Sequence, residues 1–208
     1  MNGGQPGTVT WIDPQPVEVP DCIWELAGGN RLVAQTLARL GLTNTAAAAA
    51  FLDPQKYTPA PPTDLPDLAR AADRLELAIL RGECIGVWGD FDVDGQTSTT
   101  LLVAVLRGLG ANVQYHIPIR SVESHGVNPD RLRQFLDDGV QVVLTCDTGI
   151  TAHEAAQFAR ARGVDFIITD HHTLPPELPP AYAVVNPQRL PESHPLRTLP
   201  GAGTAYKL

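Results

Sequence analysis

From residue 67 onward, short apolar runs alternate with stretches whose apolar residues recur at helical spacing. The pattern predicts strands over Cys84–Gly89, Asn112–Ile117, Gln141–Cys146 and Asp165–Thr169, with Ala181–Val185 as a further strand. Between them it predicts helices over 67–81, Gln96–Leu109, Pro129–Asp138 and Ala152–Arg162. Strands this apolar have no face to give to water. Alternating with helices, they predict an α/β fold, a parallel β-sheet flanked by helices on both faces.

The first third of the chain reads differently. Residues 1–20 are rich in Gly and Pro and carry no periodicity, so a flexible segment is expected. Residues 22–52 predict two short helices: Leu32, Val33, Leu37 and Leu40 are spaced for one before Gly41, and an alanine-rich second piece ends at Phe51-Leu52. Five prolines between Asp53 and Pro66 mark a linker. The expected division is therefore 1–20, 21–66 and 67–208.

With 208 residues, 43% hydrophobic and 18% charged, the chain has material for one good core and a small appendage. The first 20 residues do not read as a signal peptide, and no apolar run reaches spanning length, so a cytoplasmic protein without membrane contact is expected. Cys22, Cys84 and Cys146 are odd in number and widely separated, which argues against a disulfide framework or a zinc ribbon. Cys84 and Cys146 fall in predicted strands and are expected to be buried thiols. A net charge of -8 argues against a basic, nucleic-acid-coating surface. A nuclease stays open, because several of those charges crowd into one motif where a bound cation would reverse the local potential.

That motif is Asp90-Phe91-Asp92-Val93-Asp94-Gly95, directly after the first strand. Side chains two apart in extended backbone project to one side. Two carboxylates about 4 Å apart repel by roughly 4 kcal/mol at an effective dielectric of about 20, so the cluster calls for a cation. A calcium loop would place a bidentate Glu at the twelfth position, which is Leu101 here. A helix cap would explain one Asp and leave two unexplained.

Two other strand ends carry matching chemistry: Thr145-Cys146-Asp147-Thr148-Gly149 and Asp170-His171-His172. In open α/β sheets, ligands bind at the carboxyl ends of the strands, where strand order reverses. Carboxylates with an imidazole suit two divalent ions, with the histidine favouring manganese over magnesium. Asp147 is expected to bridge the ions and His171 to ligate. His172 is expected to meet the phosphate, and Asp170 to orient a histidine. Backbone amides near Gly95 and Gly149, at helix starts, are expected to hold anionic oxygens.

In these motifs the chain resembles the DHH phosphoesterases, most closely their branch of single-strand-specific exonucleases that digest DNA from the 5′ end. The resemblance runs from about Phe51 to Leu208. It is carried by Phe51-Leu52-Asp53-Pro54, Val87-Trp88-Gly89 with the Asp90 motif, and Ile117-Pro118-Ile119-Arg120. Further carriers are Thr145 to Ile150, Thr169 to His172, Val185-Asn186-Pro187 and Gly201-Ala202-Gly203-Thr204-Ala205-Tyr206-Lys207-Leu208.

The resemblance implies metal ligation by Asp92, Asp94, Asp147 and His171, with Asp90 as a ligand or support. It implies contact of His172 with the scissile phosphate and of Arg120 with the 5′-phosphate of single-stranded DNA. Relatives carry Gly-Tyr-Gly after that arginine where this chain has Ser124-His125-Gly126, so His125 is expected only as a substrate neighbour. The family pattern continues with a fourth-motif Asp, a second lobe (DHHA1) and an oligonucleotide-binding domain, so this stretch is expected to be a fragment, weak or inactive alone. A role in DNA repair and recombination is implied, with protein partners that the chain does not identify.

Nano-RNA or cyclic-dinucleotide phosphodiesterases and inorganic pyrophosphatases share these carboxylates but place a histidine four residues before Asp92. Trp88 stands there and favours the exonuclease branch. A non-catalytic scaffold of the same fold, holding single strands, would be expected to lose ligands that this chain keeps.

Overall fold

The computed structural model describes Ile12, residues 14–123 and residues 126–208. The chain divides into two compact units, one ending at Pro59 and the other running from Ala60 to Leu208. The first contains three helices where two were expected: α1 (Asp21–Leu26), α2 (Arg31–Arg39) and α3 (Thr45–Leu52). Asn30 caps α2 by accepting from the amides of Leu32 and Val33, and Asn44 caps α3 by accepting from Ala47. Ile23, Ala34, Leu37 and Ala48 form the buried centre. Leu32 and Leu40, counted among the periodic residues of α2, are instead 75% and 57% exposed. The flexible segment expected over residues 1–20 falls for the most part outside the described residues.

In the second unit β1 (Cys84–Trp88), β2 (Asn112–His116), β3 (Val142–Cys146), β4 (Asp165–Thr169) and β5 (Ala183–Val185) form one parallel sheet. Its helices are α4 (Leu68–Arg81), α5 (Val93–Gly108), α6 (Pro129–Asp137), α7 (His153–Ala161) and α8 (Gly201–Lys207). Strand residues alternate between two buried layers. Ile85, Val87, Val142, Leu144, Ile167 and Val185 pack with residues of α4, α5 and α8. Cys84, Trp88, Val143, Phe166, Ile168 and Val184 pack with α6 and α7. Both faces of β1, β3, β4 and β5 are thus dry, as their apolar runs require, while the edge strand β2 is only partly covered. Cys84 and Cys146 are buried and free, and burial pushes the Cys146 thiol up to about 12, leaving it inert.

The strand order is β2-β1-β3-β4-β5. Connections leave β1 toward β2 on one side and continue through β3 on the other, so the order reverses between β1 and β3. A crevice opens there at the carboxyl edge. Among the described residues no helix is long and apolar enough to cross a membrane.

Candidate metal centre

The three acidic positions after β1 are not equivalent. Helix α5 begins at Val93 rather than at the expected Gln96, because Asp92 is its N-cap and accepts from the Gly95 amide at 2.9 Å. Asp94 therefore lies in the first helical turn, not in extended chain beside Asp90 and Asp92. The capping reading holds for Asp92 alone. It also corrects the role expected for Gly95, whose amide is engaged by Asp92 and not free for a substrate oxygen.

Asp147 follows β3 in left-handed backbone, with φ of 61°. Its amide still donates to the Thr169 carbonyl at 3.0 Å, extending the β3–β4 ladder by one bond. The side chain is directed into the crevice, and the residue is only 2% exposed. Gly149 has φ of 108°, but α7 starts only at His153. The Gly149 amide is thus not at a helix start, contrary to expectation.

One side-chain atom from each of Asp90, Asp92 and Asp147 lies within 4.8 Å of the other two, and the same holds for Asp147, His171 and His172. Asp147 belongs to both groups. His171 Nε2 is 3.1 Å from Asp147 Oδ1 and 3.6 Å from Asp94 Oδ2. Despite that closeness, Asp147 Oδ1 receives no well-aligned hydrogen bond, and Asp90 Oδ1 is also buried without a donor. Buried carboxylate oxygens without donors are costly. A divalent cation satisfies them, and a set of carboxylate oxygens with one imidazole nitrogen fits manganese or magnesium. Burial, then the nearby charges of Asp94 and Asp92, push the Asp147 carboxyl up to about 8.

Asp170, directly after β4, is built for a different task. Its Oδ1 accepts from the His171 amide at 2.7 Å, the His172 amide at 3.1 Å and His172 Nδ1 at 2.7 Å, and its Oδ2 accepts from the Ile150 amide at 2.9 Å. Burial pushes this carboxyl up, yet the bonds from the His172 ring and from the Ile150 and His172 amides outweigh it and hold it below its ordinary value. The same ring bond raises His172 to about 9. With Nδ1 held by Asp170, Nε2 is the ring nitrogen left to meet a ligand. Asn186 completes the mount, donating from Nδ2 to the His172 carbonyl at 3.1 Å.

Two residues were not singled out for a role in the sequence. The amides of Gly201 and Ala202 donate to Asp94 Oδ2 and Oδ1, each at 2.7 Å. A Cβ on Gly201 would collide with the Asp147 carboxylate. The start of α8 therefore seats Asp94 and walls Asp147. The available signal was the run of small residues after Pro200.

Arg120 lies beyond β2 with its guanidinium carbon 4.9 Å from the Phe91 ring centroid, a cation–π contact with the Asp90 loop. Trp88 is fully buried, meets His116 at a tilt and Phe135 edge-on, and contributes no ligand atom. His125 lies outside the described residues.

Residues 84–208 match the family described as DHH family, N-terminal domain. The single-stranded-DNA-specific exonuclease RecJ of Bacillus subtilis (strain 168) is 38% identical over 177 residues, spanning 85% of this chain and 22% of that protein. The chain thus covers less than a quarter of that relative's length. A crystal structure of exonuclease RecJ bound to manganese superposes with a TM-score of 0.66 at 38% identity, over 72% of this chain and 38% of that one. The crystal structure of RecJ in complex with Mn2+ from Thermus thermophilus gives 0.59 at 36% identity, over 69% of this chain and 20% of that one.

Proposed function

The chain belongs to the DHH family, and on that premise we propose that it is the metal-binding core of an exonuclease that hydrolyses single-stranded DNA from the 5′ end, in repair and recombination. The observation that carries the reading is the position of Asp147, which is shared by two ligand groups and has a buried oxygen without a donor. Asp90, Asp92 and Asp147 would hold one divalent ion. Asp147 and His171, with Asp94 beside them, would hold the second. Two such ions, manganese or magnesium, would activate a water and offset charge on the phosphate.

The chain's own residues do the rest. Asp170 holds Nδ1 of His172, which leaves the Nε2 proton to donate a hydrogen bond to a phosphoryl oxygen and steady the charge that builds there. Phe91 holds the Arg120 guanidinium beside the acidic loop, where its fork suits a 5′-phosphate. The α8 amides fix Asp94, so the ligand set is preorganised. Trp88 in place of a ligating histidine disfavours the pyrophosphatase and dinucleotide readings. Acting alone, the chain is expected to be slow, because a net charge of -8 gives it little hold on a polyanionic strand.

The test is digestion by this chain, with manganese, of 5′-phosphorylated single-stranded DNA, a duplex and a cyclic dinucleotide. Slow mononucleotide release from the single strand only, absent in Asp147→Ala, supports the reading. Faster turnover of the cyclic dinucleotide or the duplex contradicts it.

A further inference from the structure

The loop after β2 contains a buried carboxylate. Glu123 has a side chain only 5% exposed, and its Oε2 lies 2.8 Å from His116 Nε2 at the end of β2. Arg131 Nε, on α6, is 3.8 Å from the other oxygen. A buried carboxylate on a loop is expensive, and an apolar residue of similar volume would seal the same spot at lower cost. What a hydrogen-bonded pair adds is a fixed direction.

That direction is transmitted to Arg120. The amides of Val122 and Glu123 both donate to the Ile119 carbonyl, at 2.9 and 2.8 Å, closing a turn around Arg120. Pro118 is buried at the near side of the loop while Arg120 is exposed at its apex. His116 is itself immobilised, by its ring against Trp88 at 4.5 Å between centroids and by its carbonyl, which accepts from the Gly89 amide at 2.9 Å. Gly89 directly precedes Asp90. One rigid path thus runs from the residue before the acidic loop, through His116 and Glu123, to the turn that presents Arg120.

We propose that Glu123 is a positioning residue: its buried pair with His116 sets where the Arg120 guanidinium stands relative to the metal-binding edge, and so sets selectivity for a 5′-phosphate over a 5′-hydroxyl end. The inference rests on the proposed contact of Arg120 with the 5′-phosphate. It adds a specificity determinant that touches neither metal nor nucleic acid.

The experiment uses the whole 208-residue chain in wild-type form and as Glu123→Gln, Glu123→Ala and Arg120→Ala. Gln is isosteric and keeps a hydrogen-bonding group, so it serves if the alanine variant fails to fold. Hydrogen exchange at the Val122 and Glu123 amides reports the clamp without DNA. The ratio of dissociation constants for 5′-phosphorylated and 5′-hydroxyl oligothymidylate, with manganese, reports selectivity.

Both Glu123 variants are expected to speed exchange at those amides about tenfold or more. They should also lower the 5′-phosphate preference toward that of Arg120→Ala, with manganese affinity unchanged. Unchanged exchange overturns the clamp. Faster exchange with the preference intact overturns the positioning role. A wild type that binds both ends equally, with Arg120→Ala no different, overturns the Arg120 reading first and this inference with it.

Discussion

His171 Nε2 stands 3.1 Å from Asp147 Oδ1 and 3.6 Å from Asp94 Oδ2. Segments that follow three different strands, β1, β3 and β4, thus converge at the switch between β1 and β3. His171 meets Asp147 without an aligned hydrogen bond, and the charge of His172 offsets only part of the burial and acid repulsion that push the Asp147 carboxyl up. The site is arranged for more positive charge than its own side chains supply.

The first consequence concerns stability without metal. The Asp147 carboxyl titrates near 8 in the fold against about 3.9 in the unfolded chain. The folded state therefore binds the extra proton between these values, and stability falls as pH rises from about 4 to about 8. Asp147→Asn removes this penalty. With metal chelated, the variant is expected to be more stable than wild type at pH 8 by on the order of a few kcal/mol, measured by urea unfolding. With excess manganese the order reverses, since only wild type gains from the bound ion.

Metal affinity should carry the same signature. Below about pH 8 an ion must displace the Asp147 proton, so apparent manganese affinity is expected to rise up to about tenfold per pH unit and then level off. Calorimetry in buffers of different ionisation enthalpy would count the proton released. A pH-independent affinity between about 6 and 8 would disagree.

His172 separates catalysis from metal binding. His172→Gln is expected to lower turnover by about 10²- to 10⁴-fold while manganese affinity changes little. In stability, the raised His172 value means that the pair with Asp170 contributes fully below about 6.5 and is lost as pH rises through about 9. Thermal melts of wild type should show that loss, and His172→Gln should not.

Gly201→Ala probes the wall behind Asp147. The added methyl meets that carboxylate, so manganese affinity is expected to drop about 10- to 100-fold, as for other losses of support around a ligand. The hydrophobic layers are untouched, so the melting temperature should shift by only a few degrees. Unchanged affinity would show that Asp147 has room to move.

The sheet was legible because short apolar runs set between helically periodic stretches are local properties of the chain, and each strand end named its own reactive group. Asp90, Asp92, Asp94, Asp147, Asp170, His171 and His172 were all singled out that way, and the structure brings them to one edge. What sequence could not show was how neighbouring acids part company. A single capping bond from the Gly95 amide to Asp92 turns Asp94 into the helix and away from its two companions. The bonds that then hold Asp94 come from residues 107 and 108 positions further along, beyond the reach of any local pattern. Glu123 was likewise invisible, because a loop carboxylate reads as solvated until the fold shows it covered. The third N-terminal helix was missed because six residues, Asp21–Leu26, carry too few turns for a period to register.

Manganese titration of wild type and Asp147→Asn, followed by electron paramagnetic resonance at pH 8, tests the shared carboxylate most directly. Two ions per wild-type chain, and loss of both in the isosteric variant, are the predicted result. An Asp147→Asn chain that keeps either ion at wild-type affinity would contradict a site organised around Asp147.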